Sequence, residues 1–99
     1  MGTTEAVSLA HSYALVVRQE YLSADVYLFG SHASGTASND SDIGIAIIVN
    51  EVEGNWLDKS ARLWQLSQDI SNCIEPVLLE SDHDASGFVQ HIRETGTLL

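Results

Sequence analysis

Two stretches of the chain hold residues whose types and order could do chemistry. They are Leu28-Phe29-Gly30-Ser31-His32-Ala33-Ser34-Gly35 and Ser41-Asp42-Ile43-Gly44-Ile45-Ala46-Ile47-Ile48-Val49. The first sets a glycine and a serine behind Val26-Tyr27-Leu28-Phe29, a run of strand-forming residues. A strand is expected to end at Gly30, where the missing side chain lets the backbone turn sharply and come close to a ligand. Ser31 to Ser34 then open a short helix whose free N–H groups point back at the strand end. Such an end suits a phosphate, and the Ser31 hydroxyl adds one more donor. The competing reading of Gly-Ser at this place is an ordinary turn.

The second stretch begins in the polar turn Ser38-Asn39-Asp40-Ser41-Asp42 and continues as an apolar run from Ile43 to Val49, which reads as a buried strand. Strand side chains alternate between faces, so positions 42 and 44 share one. Two carboxylates there would form a hard oxygen pair suited to Mg2+. Position 44 is glycine, so Asp42 needs a second carboxylate from elsewhere in the fold; otherwise it is an acidic residue ending a turn. Glu75, in Ile74-Glu75-Pro76-Val77-Leu78-Leu79, is the best candidate. Pro76 cannot donate to a sheet ladder, which places this third apolar segment at an edge, a bulge or a strand start. The alternative is a Glu75 that merely faces water at such an edge.

In order and spacing, Gly-Ser, then Ser-Asp-x-(Asp), then a later strand with a third carboxylate resembles the minimal nucleotidyltransferases of the DNA polymerase beta-like superfamily. The resemblance spans most of the chain. It implies transfer of a nucleoside monophosphate from a nucleoside triphosphate, ATP or another, to an acceptor, with Mg2+ as the metal. Gly30 and Ser31 would face the triphosphate, Asp42 would bind metal, and Glu75 would hold the third carboxylate position, as metal ligand or as base toward the attacking hydroxyl. Two departures stand out. Gly44 replaces the second aspartate, and His32 and Ser34 occupy a segment where the family often has arginines. The second functional expectation follows from Gly44: a catalytically inactive, antitoxin-like relative that works by binding a helical HEPN-type protein.

The bulk numbers constrain the partners. Fourteen acidic residues against four basic ones give a formal charge of −10. Such a surface repels a phosphate backbone and leaves Arg18, Lys59, Arg62 and Arg93 for contacts, so direct nucleic-acid binding is not expected. A basic protein partner or a small acceptor fits better. Cys73 is the single cysteine, which rules out an internal disulfide, is read as a small core residue and makes a cytoplasmic setting the default. The sequence shows neither a basic-then-apolar leader nor a membrane-length apolar run, so no membrane association is expected. Chains this small gain stability from assembly, a homo-oligomer included.

The elements that must position these residues are legible from periodicity. Ala6, Leu9, Ala10, Tyr13, Val16 and Val17 recur at helical spacing from about Thr4 to Glu20, with Glu5 in the first turn. A second helix runs from about Asn55, a plausible N-cap, to 72, its Trp56 and Trp64 expected in core or semi-buried packing toward the sheet, with a partner surface as the alternative. A third begins near Ser86, sets Phe88 and Ile92 on one side and stops near Gly96. Asp84 is expected to favour the N-terminus of that helix rather than to join Asp82 and His83 in a metal site. His32, alone on a short helix, is expected to be solvated, with a charge-supplying role toward phosphate below neutral pH as the alternative. The order predicts a single α/β (α+β) domain over 1–99, a small mixed β-sheet packed with helices. The first two strands are expected to be antiparallel and the third parallel to the second, which collects Gly30, Ser31, Asp42 and Glu75 at one edge.

Overall fold

The structure, a computed structural model, describes residues 2–38 and 41–99; Asn39 and Asp40 of the expected polar turn lie outside the described residues. Helix α1 (Thr3–Glu20) leads into strand β1 (Asp25–Phe29) and the one-turn helix α2 (Ser31–Ser34). Strand β2 (Ile43–Val49), helix α3 (Trp56–Gln68) and strand β3 (Ile74–Glu80) follow. A 3-10 turn (Ser81–His83), helix α4 (Phe88–Thr95) and a two-residue strand β4 (Thr97–Leu98) complete the order.

The sheet runs β3-β2-β1-β4. Strands β1 and β2 are antiparallel, with Phe29 opposite Gly44. Strands β2 and β3 are parallel, with Gly44 opposite Glu75. Helix α3 supplies the crossover that parallel neighbours need. Strand β4, too short to show any periodicity in the sequence, pairs antiparallel with β1 through Tyr27 and Leu28.

Strand alternation divides the apolar residues between two layers. Val26, Leu28, Ile43, Ile45, Ile47, Ile74 and Leu78 pack under Ala6, Ala10, Tyr13, Ala14 and Val17 of α1 and Leu63 of α3. Ala46 and Ile48 face the other way and pack against Val89 and Ile92 of α4, with Tyr27, Phe29 and Leu79 partly buried beside them. Tyr13 is fully buried, and its hydroxyl donates to the Leu63 carbonyl at 2.8 Å, tying α1 to α3. Burial, with a smaller effect from Tyr21, pushes its phenol well above the usual range.

Helix ends follow local chemistry. The Asn55 side chain accepts from the Asp58 N–H at 3.1 Å and caps α3 as expected. Asp84 takes Val89 and Gln90 N–H groups on its two carboxylate oxygens, at 2.9 and 3.1 Å, and so serves the free donors of α4. Gly96 ends α4 with a φ of −82°, so its role is close approach rather than left-handed backbone. A side chain there would come within 2.7 Å of the Ile92 carbonyl and 2.9 Å of the Leu28 carbonyl.

Three expectations are corrected. Helix α3 ends at Gln68 rather than 72, and its Trp56 and Trp64, 44% and 42% exposed, lie outside the core. Trp56 lies over the open edge of β3, donating to the Leu78 carbonyl at 3.2 Å, which gives its indole N–H the partner it needs. Cys73 is half-buried rather than a core residue, because it precedes β3 in the loop that leaves α3.

Candidate functional site

Gly30 leaves β1 with φ 84° and ψ −152°, a conformation open in practice only to glycine. The reversal lets the N–H groups of Ala33 and Ser34 fold back onto the Gly30 carbonyl, at 3.1 and 3.0 Å, and starts α2 directly at Ser31. Both motif residues are therefore built by the turn itself, Gly30 exposed and Ser31 half-buried.

On the neighbouring strands the register does the positioning. Phe29, Gly44 and Glu75 form one transverse row across β1, β2 and β3. Asp42 stands two residues before Gly44 and so on the same face, diagonal to Glu75. The Ile43 N–H bonds the Cys73 carbonyl at 2.8 Å, which fixes the start of the parallel ladder just after Asp42. In that ladder the odd-numbered residues of β3 face β2 and the even-numbered ones face the open edge, so Pro76 removes no ladder bond. The proline signal for an edge strand was correct.

Asp42 and Glu75 are both exposed, and their carboxyl groups are near enough to act on each other's charge. Glu75 is held above the ordinary carboxylate range, first by desolvation and then by the carboxylate of Asp42 beside it. The arrangement thus brings together all four residues singled out in the sequence: Gly30 and Ser31 at the end of β1, and the paired carboxylates at the start of β2 and β3.

What the sequence did not reveal is how Gly44 is filled. A side chain added there would meet the Phe29 carbonyl oxygen at 2.9 Å and the Phe29 ring at 3.1 Å. Phe29 is itself braced edge-to-face by Phe88 of α4, with ring centroids 5.8 Å apart. The face over Gly44, beside Glu75 in the same row, is therefore closed by an aromatic ring where a second aspartate would begin.

His32 is a further correction, since it is 4% exposed rather than solvated. It sits on the inner side of α2, with Nε2 3.3 Å from the Ser41 carbonyl. Beside the Gly30 turn, His91 and Thr95 of α4 line a cleft of about 350 Å3 with Gly30 and Ser34.

The basic side chains are engaged elsewhere. Arg18 donates to the Leu99 carbonyl, Arg62 binds Glu20 at 2.7 Å and Arg93 binds Asp25 at 2.9 Å. Lys59 lines a larger cleft, of about 820 Å3, with Glu20, Glu51, Glu53 and Asp82, beyond the C-terminal ends of β2 and β3. Negative charge arriving at the Gly30 end would meet backbone dipoles, hydroxyls and whatever cation the carboxylates hold.

Residues 17–99 match the model of the family described as Polymerase beta, Nucleotidyltransferase. The chain belongs to that family. Its fold is also that of a crystal structure, at 1.40 Å resolution, of a candidate nucleotidyltransferase from Sulfolobus solfataricus. The two are 23% identical with a TM-score of 0.55, over 95% of this chain and 85% of that one. At that identity the likeness is one of fold. No curated protein matches the sequence. Membership accounts for the mixed α/β architecture with its four-stranded sheet and four helices, and it makes nucleotidyl transfer, with a nucleoside triphosphate and a divalent metal, the family's general chemistry.

Proposed function

We propose that the Gly30–Ser31 turn and the Asp42–Glu75 pair form a site for a nucleoside triphosphate with Mg2+, ATP being the first candidate, and that the protein transfers the nucleoside monophosphate to an acceptor. The observation that carries this reading is the meeting of Asp42 and Glu75, 33 positions apart in sequence, at the strand ends beside Gly30.

The donor set fits a cation shared with phosphates. Mg2+ commonly takes one or two carboxylates and fills its remaining positions with phosphate oxygens and water. Among the described residues, no group of three or more His, Cys, Asp and Glu side chains is placed to hold a metal on its own. Bound there, Mg2+ would offset charge on the phosphate oxygens of an in-line displacement. Asp42 would hold it, with Glu75 as the second ligand or, where it is not bound to the metal, as the base toward an attacking hydroxyl. Gly30 lets the backbone approach the triphosphate, and the Ser31 hydroxyl donates to a phosphate oxygen.

The ring of Phe29 over Gly44 favours a second reading, in which the domain no longer transfers and acts through a HEPN-type helical partner. Calorimetric titration with ATP separates the two. The first reading expects Mg2+-dependent binding that Asp42→Ala abolishes, together with release of pyrophosphate when an acceptor is supplied. No binding with or without Mg2+ would overturn it in favour of the second.

A further inference from the structure

His32 is placed at a cost that packing does not explain. Its Nε2 lies 3.3 Å from the Ser41 carbonyl, which can only accept, so this nitrogen donates. The other ring nitrogen, Nδ1, is buried with no hydrogen-bond partner among the described residues. Whichever role Nδ1 takes, an unpaired buried polar atom destabilises the fold, whereas an apolar side chain of similar size would fill the same space without that penalty. What the imidazole supplies and a leucine cannot is the bond to Ser41.

That bond joins the two segments that carry the chemistry. His32 follows Ser31 on α2, and Ser41 precedes Asp42. Ser38 and Ser41 bond each other, with the Ser38 N–H on the Ser41 hydroxyl at 2.9 Å and the Ser41 N–H on the Ser38 carbonyl at 3.2 Å. Ile43, on the other side of Asp42, is anchored to the Cys73 carbonyl. Asp42 is thus held from β3 through Ile43 and from α2 through His32.

We infer that His32 is a positioning residue, whose hydrogen bond to the Ser41 carbonyl fixes the Asp42 carboxylate relative to the Gly30–Ser31 turn. This deepens the site reading given above and rests on it.

The test compares His32→Leu and His32→Gln with the parent in three measurements: thermal stability, amide hydrogen exchange at Ser41 and Asp42, and calorimetric affinity for ATP with Mg2+. The leucine variant is expected to melt no lower than the parent while its Ser41 amide exchanges about tenfold faster and its affinity falls by about tenfold. Glutamine, whose side-chain N–H can reach the same carbonyl, is expected to recover most of both losses. Unchanged exchange at Ser41 in His32→Leu would overturn the inference, as would leucine and glutamine variants equally impaired. So would a leucine variant that melts lower or does not fold, since the imidazole would then serve packing. A parent that binds no ATP would instead sink the site reading, and the exchange comparison would still decide the role of His32.

Discussion

Asp42 and Glu75 work against each other in the protein alone. The raised proton affinity of Glu75 means that the folded state keeps a proton which the unfolded chain has already released, between the ordinary carboxylate value and the raised one. Stability therefore falls as pH rises through that window and is level above it. Glu75→Gln removes the repulsion, so it is expected to melt higher than the parent near neutral pH, with the gap closing as pH drops below the carboxylate range; thermal scans across pH check this. The same variant is expected to lose Mg2+-dependent ATP binding, a gain in stability set against a loss of function. Gly30→Ala puts a side chain on left-handed backbone and is expected to cost about 1–3 kcal/mol in denaturant unfolding. Gly44→Asp is expected to destabilise by about 1–3 kcal/mol rather than restore a ligand, because Phe29 must give way first. The meeting of Gly30, Ser31, Asp42 and Glu75 at one edge of the sheet was legible as a motif. Phe29 over Gly44 was not, because it depends on the β1–β2 register, and the burial of His32 was not, because one turn of helix shows no periodicity.

At the level of elements, local signals gave most of the architecture and its directions. The apolar run fixed β2 at Ile43–Val49, the Gly-Ser turn fixed α2 at Ser31–Ser34, and the helix-length segment between β2 and β3 implied their parallel pairing. Strand β4 escaped notice because two residues carry no alternation, and Trp64 misled because an aromatic at helical spacing can sit on either side of a helix. The cap from Asp84 matters beyond its own helix, since α4 carries Phe88, which braces Phe29, and His91, which faces the Gly30 turn. Asp84→Ala leaves two N–H groups of α4 without partners and is expected to cost about 1 kcal/mol, read from the denaturation midpoint. Asp84→Asn, which keeps an oxygen acceptor, is expected to lose less.

Across the whole molecule, charge and shape separate two ends of the sheet. The Gly30 end gathers the paired carboxylates and a short helix turn, while the other end opens the acidic cleft around Lys59. With a net charge of −10 the folded chain repels itself, so its melting temperature is expected to rise as salt is added from low ionic strength, where screening begins to act. Among the described residues no helix is long and apolar enough to cross a membrane. The central claim is that a triphosphate with Mg2+ docks at the Gly30 end, and amide chemical-shift mapping with ATP and Mg2+ tests it most directly. Shifts confined to Gly30, Ser31, Asp42, Gly44 and Glu75, absent when Mg2+ is withheld, are the predicted result. Shifts centred instead on Val49, Val52 and Lys59 at the far cleft, or none at all, would contradict it.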